Sequence, residues 1–233
     1  MGKILIHSKG PEDWKQLLAD PELHWKPGAS AMSLALSWEK AVGEFPPEIK
    51  KLFRKSGFVE ISELEPLLII PELKVPLPGG TRASQTDVFV LAKGNAGLVP
   101  IAVEGKVDET FGPKVSEKRM KASPGQTERL DFLQEKLGLE DLPGNIRYQL
   151  VHRTVSAILL AEQYGAHAAV MLVHSFSQKK DGLNHFEDFQ EFLKLFHVAA
   201  ESDTLLQIDS IPNIRLFTGW CSGDPAFTSQ DIR

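Results

Sequence analysis

The clearest alternation of hydrophobic and polar residues lies in two segments, 85–93 and 98–107, separated by a four-residue loop. A period of two is typical of β-strands, and a loop of glycine, asparagine and alanine is typical of a hairpin. The loop length sets a register in which Asp87 faces Glu104 on the neighbouring strand. The pattern therefore predicts a hairpin with two distinct faces.

One face of this hairpin is predicted to be wholly apolar and rich in β-branched residues, formed by Val88, Val90, Ala92, Val99, Ile101 and Val103. We expect this face to be core. Side chains alternate along a strand, so Glu104 and Lys106 point to the other face, together with Asp87. The sequence thus predicts that these three ionisable residues converge at one end of the polar face.

Outside the hairpin, helical periodicity alternates with short apolar runs. Helices are predicted over 11–20, 30–42, 48–55, 126–138, 145–164 and 185–200, and strands over 168–173, 205–208 and 214–220. The segment 65–75 is apolar but contains prolines, which indicates an edge or irregular strand. We predict an α/β or α+β fold, a mixed sheet flanked by helices, in one domain over 1–233.

The predicted helix over 30–42 precedes these strands. Its apolar residues recur at helical spacing as far as Val42, and Ser30 offers an N-cap. Glu39 lies at the border of the apolar stripe. A glutamate at the edge of an apolar stripe is most often the start of the exposed face of the helix.

Composition restricts the class of protein. The 233 residues are 42% hydrophobic and 24% charged, as in a globular domain, and the single Cys221 excludes an internal disulfide and a cysteine-based zinc cluster. The start of the chain lacks the apolar core of a signal peptide, and no apolar run approaches the roughly 18 residues of a membrane span. We expect a soluble, cytoplasmic protein that does not contact membranes.

Charge gives one further restriction. A formal net charge of -5 argues against a protein that coats nucleic acid through its overall field, although a local basic groove remains compatible with it. A run of basic residues follows the hairpin directly: Lys114, Lys118, Arg119 and Lys121. These side chains are candidates for phosphate contacts or for a solvated loop.

The predicted convergence of Asp87 and Glu104 has a chemical consequence. Two carboxylates on neighbouring strands repel each other unless a positive group lies between them, and Mg²⁺ or Mn²⁺ prefers such oxygen ligands. Lys106 beside them could stabilise negative charge that develops on a substrate. Together these groups supply what hydrolysis of a phosphodiester requires.

The spacing of Asp87 and Val103-Glu104-Gly105-Lys106, on strands preceded by a helix and followed by a helix and a strand, resembles the PD-(D/E)XK, or restriction-endonuclease-like, nuclease superfamily. The wider stretch 79–109 also resembles a bacterial group of that fold. The resemblance implies an αβββαβ core over about 30–175 and a C-terminal addition over about 176–233. Thr86 stands where the superfamily's proline would precede Asp87.

The resemblance also implies residue roles. Asp87 and Glu104 would be metal ligands, Lys106 the catalytic lysine, and Glu39 a third ligand, with Glu44 and Glu65 as alternatives. A glutamine-x-x-x-tyrosine motif of some members corresponds to Gln149 and Arg153, with arginine in place of tyrosine. Substrate contacts are expected from Gln85, Arg82, Gln149, Arg153 and Lys114, with nucleic acid, DNA above all, as partner and a homodimer as a compatible assembly.

Three functions remain open from the sequence. The first is a Mg²⁺-dependent nuclease or related phosphodiester hydrolase. The second is a binding or regulatory module that keeps the fold but has a vestigial ion site. The third is an acid/base enzyme in which Asp87 and Glu104 act on a small substrate without metal. Among the histidines, only His152 lies on a helix that could flank the site.

Overall fold

The predicted hairpin is part of a mixed β-sheet in this computed structural model, which describes residues 8–120, 122–179, 185–209, 211 and 213–232. Its strands are β2 (Ser84–Gly94) and β3 (Gly97–Lys106). Val88 lies opposite Val103 and Gly94 opposite Gly97, which is the register that the loop length predicts. The hairpin is confirmed, and the same register carries Asp87 to the position facing Glu104.

The sheet formed by the described residues has six strands in the order β1-β2-β3-β4-β6-β5. The additional strands are β1 (Glu65–Val75), β4 (Ala168–Ser175), β5 (Thr204–Ile208) and β6 (Arg215–Ser222). Strands β3, β4 and β6 are parallel, and the remaining pairs are antiparallel. The mixed sheet of an α+β fold is confirmed, and the C-terminal strands extend this same sheet.

Strand β1 is irregular, as its prolines predict. It lies at the edge of the sheet, and its register against β2 shifts between Pro66 and Leu68. Proline cannot donate a ladder hydrogen bond and is therefore confined to edges and bulges. Strand β1 still pairs with the end of β2 that carries Asp87, so β1 also borders the site.

The helices are α1 (Pro21–His24), α2 (Ser30–Lys40), α3 (Pro47–Lys55), α4 (Val115–Met120), α5 (Pro124–Lys136), α6 (Tyr148–Tyr164) and α7 (Phe186–Lys194). The helix predicted over 11–20 is instead a 3₁₀ helix, Pro11–Leu17, followed by α1. The placement of Val42 in the apolar stripe is wrong. Helix α2 ends at Lys40, and Val42 turns outward with φ 53° and 85% exposure.

Two hydrophobic layers cover the two faces of the sheet. The predicted apolar face of the hairpin packs in one cluster with α2 and α3, through residues such as Leu34 and Ile49. The opposite face packs against α5, α6 and α7. Helix α6 therefore covers the polar face of the hairpin, and its N-terminal half faces Asp87 and Glu104. In the part of the chain that the structure describes, no helix has both the length and the apolar character to cross a membrane.

Candidate functional site

A cleft of about 1060 Å³ lies over the polar end of the hairpin. Its floor carries Asp87, Glu104 and Lys106, the three residues that the register brings together. Its walls come from segments 18–31, 79–85 and 109–113 and from the first turns of α6. The structure thus places the predicted trio at the floor of a concave surface, with Asp87 the most exposed of the three.

Glu104 and Lys106 form the most buried part of the floor. Their exposed fractions are 2% and 3%. Lys106 Nζ donates to Glu104 Oε1 at 2.7 Å and to Gln149 Oε1 on α6 at 3.1 Å, and it lies 4.7 Å from the centre of the Phe111 ring. The ammonium group is therefore held in one position by a carboxylate, an amide and an aromatic face.

The positive group between the two carboxylates is the Arg153 guanidinium. Its Nε donates to Glu104 Oε2 at 2.6 Å, its Nη2 lies 3.4 Å from Asp87 Oδ1, and its Nη1 donates to Ser84 Oγ at 3.0 Å. Arg153 is 6% exposed. Each oxygen of Glu104 thus accepts from a cationic side chain of the chain itself, and the other oxygen of Asp87 accepts from the Gly105 N–H at 2.8 Å.

Ser84 and His152 fix the orientation of Arg153. Ser84 Oγ lies 2.8 Å from His152 Nδ1 and accepts from Ser156 Oγ at 2.8 Å. Burial lowers the pKa of His152 well below its ordinary value, and the nearby charge of Arg153 adds to this. His152 is therefore neutral at pH 7 and acts as a hydrogen-bonding support.

Glu72 is a site residue that the sequence reasoning missed. The pairs Pro71 with Val88 and Leu73 with Thr86 place it opposite Asp87, so three neighbouring strands each contribute a carboxylate. Its φ of 55° is in the left-handed region, a strained conformation for a residue other than glycine, which is often found at functional sites. The missing signal was the register of β1, which its prolines and bulge obscure.

Gln85 connects Glu72 to the wall of the cleft. Its Nε2 donates to Glu72 Oε2 at 2.8 Å and to the Leu17 carbonyl at 3.1 Å. The predicted contact residue Gln85 therefore lies at the site, where it holds the side chain of Glu72. One amide group joins the 3₁₀ helix, β1 and β2.

The ionisable groups of the site differ in pKa. Burial, and then the charge of Asp87, raise the pKa of Glu72 to about 9. Burial and the charge of Glu104 raise the pKa of Asp87 to about 7, against the opposing charge of Arg153. Burial also acts to raise the pKa of Glu104, but Lys106 and Arg153 outweigh it and hold that pKa below its ordinary value. Among the described residues, these three carboxyl groups face two cations in direct contact, Lys106 and Arg153.

Only some of the other predicted contact residues line the cleft. Arg82, Gln149 and Arg153 line the cleft, and Lys118 of the basic run lines it as well. Lys114 does not line it. This residue precedes α4, and its backbone N–H donates to Glu117 Oε1 at 2.9 Å. Arg119 also lies outside the cleft lining, and Lys121 lies outside the described residues.

The structure does not bring Glu39 to the cleft. Its carboxylate accepts from Trp14 Nε1 at 2.8 Å and from Ser8 Oγ, so it anchors the 3₁₀ helix to α2. Glu44 and Glu65, the alternatives, do not line the cleft either. Sequence spacing placed Glu39 at the edge of the helix's apolar stripe correctly, but the N-terminal segment covers that edge.

Glu109 supports the wall of the cleft. Its Oε1 accepts from the Ser30 N–H and its Oε2 from the Val107 N–H, each at 2.7 Å. The predicted N-cap role of Ser30 is therefore replaced by capping from Glu109, because the N-cap residue is Ala29, whose side chain cannot accept. This carboxylate joins the start of α2 to the chain that leaves β3.

The donor chemistry of the site suits a hard divalent cation. Asp87 and Glu104 supply carboxylate oxygens, and Mg²⁺ is commonly held by only one or two carboxylates together with water and substrate phosphate. Within the described residues, no group of three or more His, Cys, Asp or Glu side chains is arranged to hold a metal ion. A cation would therefore bind the pair Asp87 and Glu104 in competition with Arg153.

Fold and site together define an α+β protein with a mixed sheet and a cleft whose floor carries buried, opposing charges. The chain belongs to the family described as a domain of unknown function, DUF6946, which matches residues 7–225. No curated protein and no solved structure matches the chain.

Proposed function

We propose that the protein is a Mg²⁺- or Mn²⁺-dependent phosphodiester hydrolase that acts on nucleic acid, built on a restriction-endonuclease-like αβββαβ core. The observation that carries the proposal is the convergence of Asp87, Glu104 and Lys106 on the floor of one accessible cleft. The order of elements supports it: α2 and α3, then β1, β2 and β3, then α6 and the parallel β4.

Asp87 and Glu104 are the proposed ligands of the cation. When bound, the cation supplies Lewis acidity and neutralises charge on the phosphoryl oxygens. Asp87 is the more accessible ligand, because its side chain is 20% exposed whereas that of Glu104 is 2% exposed. Arg153 must give up at least its contact with Asp87 for the pair to accept a cation, and the 3.4 Å separation marks this as its weakest bond in the site.

Lys106 is the proposed catalytic lysine. Its ammonium group is oriented by Gln149 and Phe111 before any substrate enters. Preorganised positive charge in a water-poor site stabilises the charge that develops on a transferring phosphoryl group without rearrangement of the protein. Gln149 acts through Lys106 and is a positioning residue.

A catalytically silent binding or regulatory module is the second candidate. Arg153 favours it, because this buried guanidinium already neutralises both carboxylates. A site that satisfies its own charges can be stable with no metal at all. The two candidates therefore differ in one property: whether a divalent cation can replace the Arg153 contacts.

Isothermal titration with Mg²⁺ and Mn²⁺ distinguishes them. We expect saturable binding in the wild type that is lost in Glu104→Gln and Asp87→Asn, while the exposed control Glu128→Gln binds as the wild type does. The same proteins are then incubated with single- and double-stranded DNA and RNA. Lys106→Ala should retain metal binding and lose cleavage.

Two results would contradict the proposal. If no carboxylate-dependent metal binding is observed, the hydrolase is excluded and the binding module remains. If Lys106→Ala cleaves as fast as the wild type, the role assigned to this lysine is wrong. Circular dichroism of each variant separates a lost site from a lost fold.

A further inference from the structure

The depth of the site restricts what can reach it. Glu104 and Lys106 are almost fully buried, and both line the cleft together with Asp87. A double helix is wide and stiff, so its phosphates reach buried groups less readily than those of a flexible strand. A single strand is narrower and flexible, so its phosphodiester can be lowered to the floor. Geometry therefore favours a single strand or an unpaired end.

Basic side chains line the mouth of this cleft. Arg82 and Lys118 come from different segments and both line it. In the parts of the chain that the structure describes, neither forms a salt bridge with an acidic residue. Arg82 is exposed and Lys118 is half-buried, and both side chains carry positive charge. They suit contacts with the backbone phosphates of a strand.

An aromatic surface lies beside these cations. Tyr148, the first residue of α6, lines the cleft and is half-buried, and its ring centre lies 4.8 Å from that of His152. Lys118 Nζ lies over the Tyr148 ring, 5.2 Å from its centre, so a base can take this ring face only if Lys118 swings away to bind a phosphate. A groove that combines cations with an aromatic face is the arrangement with which proteins bind single strands, since unpaired bases stack on the ring.

The loop that carries Arg82 is held in place before any ligand binds. Arg129 donates to the carbonyl groups of Leu77, Pro78 and Gly80 at 2.8–3.4 Å. Gly79 has φ 74°, and a Cβ there would lie 1.9 Å from the Gly125 carbonyl oxygen. The loop and the start of α5 can approach so closely only because both residues are glycine. The rim is thus preorganised, which reduces the entropy lost on binding.

From these features we infer that the cleft binds single-stranded nucleic acid, with Arg82 and Lys118 on backbone phosphates and one base stacked on Tyr148. The inference rests on the proposed function for the identity of the polymer, but it concerns binding and not cleavage. It holds equally for a hydrolase and for a silent binding module. DNA and RNA share the phosphates and bases that are used, so the experiment compares both.

Fluorescence anisotropy in EDTA tests this without any cleavage. The probes are a labelled DNA strand, the RNA strand of the same sequence, and a hairpin duplex. Arg82→Gln/Lys118→Gln should reduce the slope of log affinity against log salt by about 1.4, since each phosphate contact on a single strand contributes about 0.7. The control Lys51→Gln/Lys55→Gln makes the same charge change at exposed positions of α3 and should leave the slope unchanged.

Tyr148→Leu should weaken binding of the single strand roughly 5- to 150-fold, the range expected for loss of one stacked base, whereas Tyr148→Phe keeps the ring and should retain affinity. Tighter binding of the duplex than of both single strands would overturn the inference. So would salt slopes that match between the two double variants. Binding of a single strand without cleavage in Mg²⁺ or Mn²⁺ would contradict the proposed hydrolase activity and leave the binding inference intact.

Discussion

Two buried groups of ionisable residues lie at the same end of the sheet but on opposite faces. On one face, Glu104 and Lys106 of β3 join Asp87 and Arg153 in the cleft. On the other face lies His174 of β4, whose position is paired with Gly105 in the ladder, between those two residues. The alternation of side chains along neighbouring strands thus separates the two groups.

The second group is a simple pair. His174 Nε2 lies 2.9 Å from Glu48 Oε1 of α3, with side-chain exposures of 0% and 22%. Burial acts to raise the pKa of Glu48, but the hydrogen bond and charge of His174 outweigh it and lower that pKa. One acid and one base compensate each other, and the pair attaches α3 to the sheet.

The two groups differ in the balance of acidic and basic side chains, which distinguishes a structural ion pair from a candidate functional site. The pair of Glu48 and His174 is matched in number and lies outside the cleft. The cleft group has three carboxyls for two cations, and two of those carboxyls have raised pKa values. Buried carboxyl groups that outnumber their neighbouring cations hold their protons more tightly, and the matched pair shows no such rise in the pKa of its acid.

The largest expected effect is that of Arg153→Met. Removing one partner of a buried ion pair leaves uncompensated charge and costs about 3–5 kcal/mol. We expect a loss of that order in the free energy of unfolding, measured by urea denaturation. Arg54→Met, at an exposed position of α3, is the control.

The same variant sharpens the comparison when Mg²⁺ or Mn²⁺ is added. If a cation takes the place of the guanidinium, the midpoint of Arg153→Met should rise with metal concentration more than that of the wild type. An equal response in both proteins would contradict competition between Arg153 and the cation.

Gly105→Ala changes strand β3, which separates the two groups. A Cβ there would lie 2.2 Å from Leu34 Cδ1 on α2, so the helix or the strand must shift. Overpacking of this kind costs about 1–3 kcal/mol. Thermal denaturation measures it, and Leu34→Ala in the same chain should recover part of the loss, beyond additivity of the single variants. Strict additivity would show that Leu34 is not the obstacle.

Glu48→Ala breaks the matched pair. It leaves buried His174 without its partner, and we expect a loss of about 1 kcal/mol at pH 7, the lower end of the range for an unsatisfied buried group. The pKa of Glu48 is lowered in the folded state, so its contribution is present above its ordinary value of 4.5 and is lost as pH falls below it. A difference from wild type that is unchanged at low pH would contradict this.

Glu72→Gln tests the mismatch in the cleft, and its expected effect is the smallest of the set at pH 5, where folded wild type already holds Glu72 protonated. The pKa of Glu72 is raised from 4.5 to about 9, so the folded state binds the proton more tightly and stability is lost as pH rises between these values. The neutral variant lacks this loss. Its advantage over the wild type in urea denaturation should therefore widen from pH 5 to pH 9; a constant difference would show that Glu72 is not held neutral.

The hairpin could be predicted from the sequence because its loop is short and its alternation clear. These local features fix the facing of Asp87 and Glu104 and the shared side of Lys106. Glu72 could not be found, since its position depends on the register of a strand interrupted by prolines. Arg153 was predicted as a substrate contact, but its direction toward both carboxylates depends on how α6 packs on the sheet, which no local pattern encodes.

The most direct test of cation binding at the site is anomalous diffraction from a crystal of the wild type soaked in Mn²⁺, which locates the metal. We expect one ion bound by carboxylate oxygens of Asp87 and Glu104, with the Arg153 guanidinium withdrawn from Asp87. No anomalous peak at these oxygens, with the contacts of Arg153 to both carboxylates unchanged, would contradict it.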